Sequence, residues 1–404
     1  MGGSQSTIEK SRIALCLSGG GFRATLFHLG VIKALRAHLI EGEMALKRVA
    51  EVFAVSGGSI LAAHMLKNWE RYTSADEGEF SQASDEVLIF AKRDVRNRVL
   101  RRAGLTFWSK KSSTQWLQDE YAWKHFLGTD TLDASYARRG LPRFHFLATN
   151  FNSGELCSFS GSDFELMERI DDATFETHTT PAGSIPLAFA VAASSSFPVA
   201  FPPITLTPRA LGHPEGQHFQ MPIELSDGGV YDNFGVEKLF MARRASPSPN
   251  VLVVSNAGGS FQADPQKSYD AILPRNIRAS DVMMRRVGES TLQAGRQMIG
   301  DGFTLVRIGG TTTSSQISQT TQQMLRLVRT DLDRFDAPLA GLLVDHGEGV
   351  ARDAFKAKGW QATSEFSGQA SIKNQEAAAG AIEQASKRGK ASFFFDIRDW
   401  AWLM

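Results

Sequence analysis

A serine in a glycine-rich turn is the first candidate for chemistry in this sequence. Ser56 stands in the stretch Ala54-Val55-Ser56-Gly57-Gly58, which approaches the G-x-S-x-G pattern of a nucleophile on a sharp strand-to-helix turn. Small neighbours are needed because the turned backbone leaves little room for side chains. The helix that follows would direct its N-terminal amides toward a developing oxyanion. The pattern therefore predicts Ser56 as a nucleophile.

A second glycine-rich loop, GGGFR, occupies residues 19–23. It also fits a dinucleotide-binding pattern, but that use needs an acidic residue at the end of the next strand, where this chain has Ser56. The amides of Gly20 and Gly21 can instead stabilise negative charge on a substrate carbonyl oxygen. The residues assigned to this predicted oxyanion hole are Gly19, Gly20, Gly21, Arg23 and Gly57.

A serine nucleophile needs a base to accept its proton, and Asp227 is the candidate. It lies in ELSDGGVYDNFG (224–235), after a short strand-like stretch. Gly228 and Gly229 allow the backbone to approach whatever the carboxylate faces. Taken alone, the same residues could form an ordinary Asp-Gly turn.

The elements that must position these residues repeat a pattern of apolar run, glycine break and helix. Strands are predicted at 12–18 and 48–56, and apolar residues at helical spacing follow at 27–40 and 59–69. Further predicted strands lie at 144–151, 250–257 and 303–310. This alternation indicates an α/β fold with a mostly parallel sheet covered by helices. Ligands bind such sheets at the carboxyl ends of the strands, where both glycine-rich turns fall.

The three motifs, in this order, resemble those of the patatin-like phospholipase family. That family has a G-G-G-x-R/K loop, a G-x-S-x-G turn and a D-G-A/G motif, matched here at 19–23, 54–58 and 227–229. The stretch AASSSFPVAFPPI (192–204) also looks like the family's small-residue and proline segment before the aspartate. The resemblance covers about Ser11 to Ala257.

The resemblance implies a three-layer α/β/α fold and a phospholipid or other acyl-ester substrate. It further implies a Ser56–Asp227 dyad without histidine, and an acyl-enzyme intermediate. Ala54, where the family has glycine, adds one methyl group at a tight position. Arg23 could orient the glycine loop, face a lipid phosphate or form a structural salt bridge.

Three alternatives stay open at this point. His346 follows Asp227 in the serine, acid, histidine order of a triad, although such a residue is more often a surface histidine at a helix end. The acyl group could pass to an acceptor other than water, which would make the protein an acyltransferase. The chain could also be an effector with low basal activity that a partner or nucleotide activates, for example in antiviral defence.

Composition bears on the expected partners, the cellular compartment and the cofactors of the protein. The 44 basic and 43 acidic residues nearly balance, so overall charge gives no reason to expect a nucleic-acid partner. The only cysteines, Cys16 and Cys157, indicate a reducing compartment and a cytoplasmic protein. The scattered histidines show no metal-ligand spacing, so we expect neither a metal nor another cofactor. The start MGGSQS fits a myristoylation pattern and equally a tag remnant.

Two segments are predicted to contact lipid or protein. The basic and aromatic stretch 90–111 could touch a membrane through Arg101, Arg102 and Trp108, or pack as a solvated helix. The aromatic residues at 393–404 could complete the core, insert into lipid or dock on another subunit or regulatory partner. The uncharged run Thr179 to Pro208 contains six prolines, counting Pro208, and is interpreted as a buried loop region.

The predicted organisation has four parts. They are an N-terminal tail (1–11), a catalytic domain (12–257), a mixed α/β extension packed on it (258–366), and a polar tether with an aromatic docking segment (367–404).

Overall fold

The structure is a computed structural model that describes most of the chain. The described residues are 10–105, 111–171, 174–198, 200–212, 221–245, 249–258, 269–366, 375–376, 380 and 382. Within them the strands are β1 (Ile13–Leu17), β2 (His38–Ile40), β3 (Glu43–Met44), β4 (Val49–Ala54), β5 (Arg143–Asn150), β6 (Leu156–Ser160), β7 (Asp163–Arg169), β8 (Phe175–Pro181), β9 (Ile204–Leu206), β10 (Ile223–Asp227), β11 (Val251–Asn256), β12 (Phe303–Arg307) and β13 (Gln361–Ala362).

The helices cover both faces and the ends of the sheet. In the described ranges they are α1 (Gly21–Arg36), α2 (Gly57–Lys67), α3 (Trp69–Thr73), α4 (Glu77–Ala91), α5 (Val95–Leu105), α6 (Ser113–Tyr121), α7 (Leu132–Tyr136), α8 (Leu187–Ser195), α9 (Val236–Ala245), α10 (Ile272–Ile299), α11 (Gln319–Leu325) and α12 (Ala337–Ala357).

The main sheet has the strand order β12-β11-β1-β4-β5-β6-β7-β8. Parallel pairing joins the five strands from β12 to β5. Antiparallel pairing continues the sheet through β6, β7 and β8, and β10 joins β5 and β9 in the same sense. A small second sheet contains β13, β2 and β3. The parallel centre flanked by helices confirms the predicted α/β fold class.

Burial on both faces explains why β1 is a continuous apolar run. Ile13, Leu15 and Leu17 point into the core on the face that α1 and α12 cover. Ala14 and Cys16 point into the core on the face that α9 and α10 cover. A strand in the middle of a parallel sheet must be apolar on each side, since helices pack on both.

Two sequence predictions, on the run 179–208 and on the start of the first helix, differ from the structure. The run 179–208 is not a loop throughout, because α8 forms between Pro186, which precedes its first turn, and Ser196. Proline is tolerated at a helix start, so the prolines delimit this helix rather than prevent it. Helix α1 begins at Gly21, six residues before the predicted periodic segment, which makes the glycine loop its N-terminus.

The C-terminal part of the described chain is closely joined to the rest. Strand β12 forms the edge of the main sheet beside β11, and α12 packs along α1. Residues after 257 therefore contribute to the same sheet and helical layer as the residues before it.

Candidate active site

Ser56 lies on a sharp turn between β4 and α2. Its dihedral angles are φ 50° and ψ −116°, a strained conformation of the kind that costs roughly 1 to 3 kcal/mol. The Ser56 amide donates to both the carbonyl and the hydroxyl oxygen of Ser194 at 3.1 Å. A Cβ at Gly58 would overlap the Leu17 carbonyl oxygen, so the turn requires glycine there. Ala54 is buried within the paired strands, which accommodate its methyl group.

The pairing of β5 explains how Asp227 reaches Ser56. Strand β4 pairs with the first half of β5, up to Phe146, and β10 pairs with its last residues, from Ala148. Both lie on one edge of β5, because β6 occupies the other. Since β4 runs parallel and β10 antiparallel to β5, their carboxyl ends point toward each other. Ser56 follows the first end, and Asp227 is the last residue of the second.

The Asp227 carboxyl group is buried beside Ser56. It accepts a hydrogen bond from the Gly229 amide at 2.7 Å and interacts with the Ser56 hydroxyl. Burial raises the pKa of Asp227 to about 6, and the hydrogen bonds from Ser56 and Gly229 oppose this rise. A carboxylate with a pKa closer to neutrality is a stronger proton acceptor. Gly228 is required beside it because a Cβ there would overlap the Leu147 carbonyl oxygen.

The segment of three consecutive serines, 194–196, connects the Ser56 turn to Asp227. The Ser194 hydroxyl accepts from the Ser56 amide and hydrogen-bonds with the Ser59 hydroxyl at 2.7 Å. The Ser196 carbonyl accepts from the Asp227 amide at 3.2 Å. Sequence reasoning noted this segment only as a small-residue stretch. The run of small polar residues was the signal, since only such residues fit between two closely packed turns.

The glycine loop lies directly against the Ser56 turn. Gly20 and Gly21 have φ values of 137° and 56°, which side chains rarely adopt. A Cβ at Gly57 would overlap the Gly21 carbonyl oxygen and lie 2.8 Å from the Gly21 nitrogen. Within the described part of the chain, the amides of Gly20, Gly21 and Gly57 have no hydrogen-bond acceptor. The Gly19 amide does have one, because it donates to the Asn233 carbonyl at 3.2 Å.

Arg23 holds this loop in place through backbone carbonyls. Its guanidinium donates to the carbonyl oxygens of Val328 at 2.6 Å, Ala257 at 2.7 Å and Arg326 at 3.3 Å. The side chain is buried, and burial lowers the pKa of Arg23 to about 10, so it stays protonated at neutral pH. Of the three roles considered for Arg23, orientation of the loop is the one that fits these contacts.

His28 is a second buried support that sequence reasoning missed. Its Nε2 donates to the Ser18 carbonyl at 2.9 Å, and its Nδ1 accepts from the Ser255 hydroxyl at 2.6 Å. Burial lowers the pKa of His28 to about 4, so the ring is neutral at physiological pH. It connects the strand before the glycine loop to β11.

His346 lies in the interior of α12, which corrects the expectation of a surface residue at a helix end. Its Nε2 donates to the Ile308 carbonyl at 2.8 Å, and burial lowers its pKa. Among the described residues, the His346 ring bonds to the Ile308 carbonyl and packs against Phe27, and it makes no hydrogen bond to Ser56 or Asp227. A histidine held by a structural carbonyl is not positioned as a triad base.

We expect His346→Ala to keep most of the specific activity, because His346 binds a structural carbonyl rather than the nucleophile. The loss of a buried ring should lower the free energy of unfolding by about 2 to 4 kcal/mol. Ester hydrolysis per folded molecule and urea unfolding measure the two effects. A hundredfold loss of kcat in fully folded protein would support a triad instead.

The basic segment before residue 106 is tied to the protein by ion pairs. Arg102 pairs with Glu120 at 3.1 Å, and Arg101 lies 3.6 Å from Asp94. Val95, on the same helix α5, is fully buried. Trp108 and the aromatic segment 393–404 lie outside the described residues, so the proposed contacts of both stay predictions.

The described residues contain neither a metal-binding cluster nor a membrane-spanning helix. There, no group of three or more His, Cys, Asp or Glu side chains is arranged to hold a metal ion. No helix in the same part of the chain is long and apolar enough to cross a bilayer.

Comparisons with known proteins give a family match and several similar solved structures. Residues 15–240 match the family described as patatin-like phospholipase. Human GIVD cytosolic phospholipase A2 is 13% identical, with a TM-score of 0.46 over 95% of this chain and 60% of the human chain. VipD from Legionella pneumophila is 14% identical, with a TM-score of 0.36 over 95% of this chain and 74% of that chain. A comparison with curated proteins gives no match.

The fold and the site define an α/β protein whose serine turn and glycine loop meet at the carboxyl edge of a parallel sheet. The chain belongs to the patatin-like phospholipase family, since the match covers more than half of its length. The chain spans 60% of the length of the human phospholipase compared above.

Proposed function

We propose that this protein is a serine hydrolase that cleaves fatty acyl esters of phospholipids or related lipids, of the phospholipase A or lysophospholipase type. The observation that carries the proposal is the meeting of the Ser56 turn and the buried Asp227 residue at the facing carboxyl ends of β4 and β10. This pair lies in a chain of the patatin-like phospholipase family, at the two residues that the motifs single out.

The proposed reaction begins with proton transfer from the Ser56 hydroxyl to the Asp227 carboxylate. The serine oxygen attacks the ester carbonyl carbon, and the tetrahedral intermediate collapses to an acyl-Ser56 ester as Asp227 returns the proton to the departing alcohol. Water then attacks the acyl group while Asp227 accepts one of its protons. The fatty acid leaves, and the proton returns to Ser56.

The oxyanion of each tetrahedral intermediate would be stabilised by backbone amides. Gly20, Gly21 and Gly57 are suited to this task, because their amides have no acceptor among the described residues and the two loops touch. Donors that are fixed in place before the reaction stabilise developing charge without reorganisation. Gly19 and Arg23 would act indirectly, since their hydrogen bonds hold the loop.

Substrate recognition and location follow from this proposal. The substrate is a membrane lipid or its lyso form, so the protein would meet its substrate by peripheral contact with a bilayer. The two buried free cysteines suit a reducing compartment. We therefore retain the cytoplasmic location as a prediction.

We expect the purified protein to release free fatty acid from phospholipid vesicles, and Ser56→Ala to release none above the buffer rate. Lipid mass spectrometry of both proteins identifies the cleaved ester and the nucleophile together. A fluorophosphonate probe should label the wild type at Ser56 and fail to label Ser56→Ala, because it reacts with an activated serine.

The same experiment distinguishes the remaining alternatives. Acylated product in the presence of added lysolipid or alcohol would indicate transfer to an acceptor other than water. A sharp rise in hydrolysis with a nucleotide or protein partner would indicate an activated effector. Equal fatty acid release by wild type and Ser56→Ala would contradict the proposed nucleophile.

A further inference from the structure

Helix α10 is packed along only half of its length. In its C-terminal half, Gly288 and Gly295 lie close to Phe234 and Val236, and Thr291 is buried. Between residues 272 and 287, in contrast, no residue whose burial is described is buried. At 1.5 Å per residue this half is roughly 24 Å long. A helix of this length gains most of its stability from packing, so it needs a partner.

The unpacked half lies at the same edge of the sheet as Ser56. Strand β11 ends at the carboxyl edge, and α10 returns the chain to the start of β12, which runs parallel to β11. The N-terminal end of α10 is therefore at the carboxyl edge. The first packed residue, Gly288, meets Phe234, which directly follows Asn233 in the loop that binds Gly19.

Exposed apolar side chains are concentrated on this helix. One face of the helix carries Ile272, Ala279, Met283 and Val287. These residues share a face because the spacings between them are seven, four and four positions, which correspond to two turns, one turn and one turn. Ile272 is 70% exposed and Met283 is 61% exposed. The large exposed hydrophobic residues of α10, among the described residues, are Ile272, Val282, Met283, Val287 and Met298.

The charge of α10 indicates what covers this face. Five arginines stand on the helix against two acidic residues; they are Arg275, Arg278, Arg285, Arg286 and Arg296, against Asp281 and Glu289. If a second copy covered the face with its own α10, these arginines would approach one another and repel. An anionic bilayer attracts arginine and accepts apolar side chains at its interface.

We propose that the N-terminal half of α10 docks on an anionic lipid bilayer, with Ile272, Met283 and Val287 entering the interface. This inference rests on the proposed function, because a lipid hydrolase must bring an ester from a membrane to Ser56. It assigns membrane contact to α10 at the rim of the active site, a surface separate from the segment 90–111.

Vesicle sedimentation tests the docking surface directly. All variants are made in a Ser56→Ala background so that the lipid is not consumed, and the probes are phosphatidylcholine vesicles with and without phosphatidylglycerol. We expect Arg275→Gln combined with Arg286→Gln to weaken binding to anionic vesicles about 25-fold, since each arginine near the surface contributes about fivefold. Met283→Gln combined with Val287→Gln should weaken binding to both kinds of vesicle.

The matched control replaces two exposed arginines at the opposite edge of the sheet. Arg12 and Arg139 lie near the amino ends of β1 and β5, so Arg12→Gln combined with Arg139→Gln makes the same change in charge away from α10. Vesicle binding equal to that of this control in both α10 double variants would overturn the proposal. A second outcome would also overturn the proposal: the protein forms a dimer, and the Met283→Gln, Val287→Gln variant is monomeric but binds vesicles as before. That outcome would assign the face to a second copy of the chain.

Activity measurements in the Ser56-containing proteins separate this proposal from the proposed function. The Arg275→Gln, Arg286→Gln variant should hydrolyse a soluble short-chain ester at the wild-type rate and vesicle lipid more slowly. Absence of soluble-ester hydrolysis in the wild type would contradict the proposed function, while vesicle binding would still decide the role of α10.

Discussion

Asp227→Asn should lower kcat for ester hydrolysis by about 10³-fold to 10⁴-fold, because asparagine cannot accept the proton of Ser56. The protein should stay folded, since the asparagine side-chain oxygen can still accept from the Gly229 amide. The same change should also reduce labelling of Ser56 by a fluorophosphonate. A variant within tenfold of the wild type would show that Asp227 is not the base.

The raised pKa of Asp227 also predicts how kcat/KM and the stability of the fold depend on pH. In the wild type, kcat/KM should rise with pH around 6 as the carboxyl group loses its proton, and level off above that range. Because the carboxyl pKa is higher in the folded state than in the unfolded state, protonation of Asp227 stabilises the fold. This contribution is complete only at pH values below the unfolded-state pKa. That stability is lost as pH rises through about 6.

At neutral pH the buried charge therefore opposes folding. We expect Asp227→Asn to raise the free energy of unfolding at pH 7 by up to about 3 kcal/mol, and to have little such effect near pH 4. Urea unfolding at the two pH values measures the difference. Lower stability of the variant at pH 7 would contradict the assignment of a costly buried carboxylate.

Gly57→Ala should reduce kcat at least about 100-fold, the effect of losing one oxyanion donor in other hydrolases. The new Cβ would overlap the Gly21 carbonyl oxygen, so the glycine loop and the Ser56 turn must separate. The loss should appear in kcat rather than in vesicle binding, because the change lies at the reacting centre. Steady-state kinetics on a soluble ester measures it.

Gly341→Ala is the matched control for this substitution. A Cβ at Gly341 meets nothing within 4 Å, and alanine is a better helix former than glycine in the interior of α12. This variant should keep full activity and gain up to about 1 kcal/mol of stability. Equal activity of the two alanine variants would rule out a catalytic role for the contact between Gly57 and Gly21.

The sequence predicts the local features of this protein better than the long-range ones. Strands β1, β4 and β11 are apolar because both of their faces are buried, and that requirement is visible in a short window. Ser56 and Asp227 are identified because a nucleophile turn and an Asp-Gly-Gly turn each need glycine beside a polar residue. The strand β6 is missed because its serines alternate with apolar residues in a pattern too short to stand out.

Other features depend on residues far apart in the chain. The Arg23 guanidinium meets the carbonyls of Val328 and Arg326, some 300 residues away, and backbone acceptors leave no trace in the sequence. His346 has acidic neighbours, which suggest exposure, yet α12 is enclosed between α1 and the sheet. Tertiary packing overrides the local pattern in both cases.

The end-to-end arrangement of β4 and β10 along β5 has a consequence for the newly made chain. The proposed nucleophile and the proposed base are 171 positions apart and meet only after β10 has been added beside β5. A partly folded or truncated chain that lacks this strand contains the serine turn but has no proton acceptor. Under the proposed mechanism such a chain would leave the cell's own lipids intact, so the order of assembly itself would delay the proposed activity until the fold is complete.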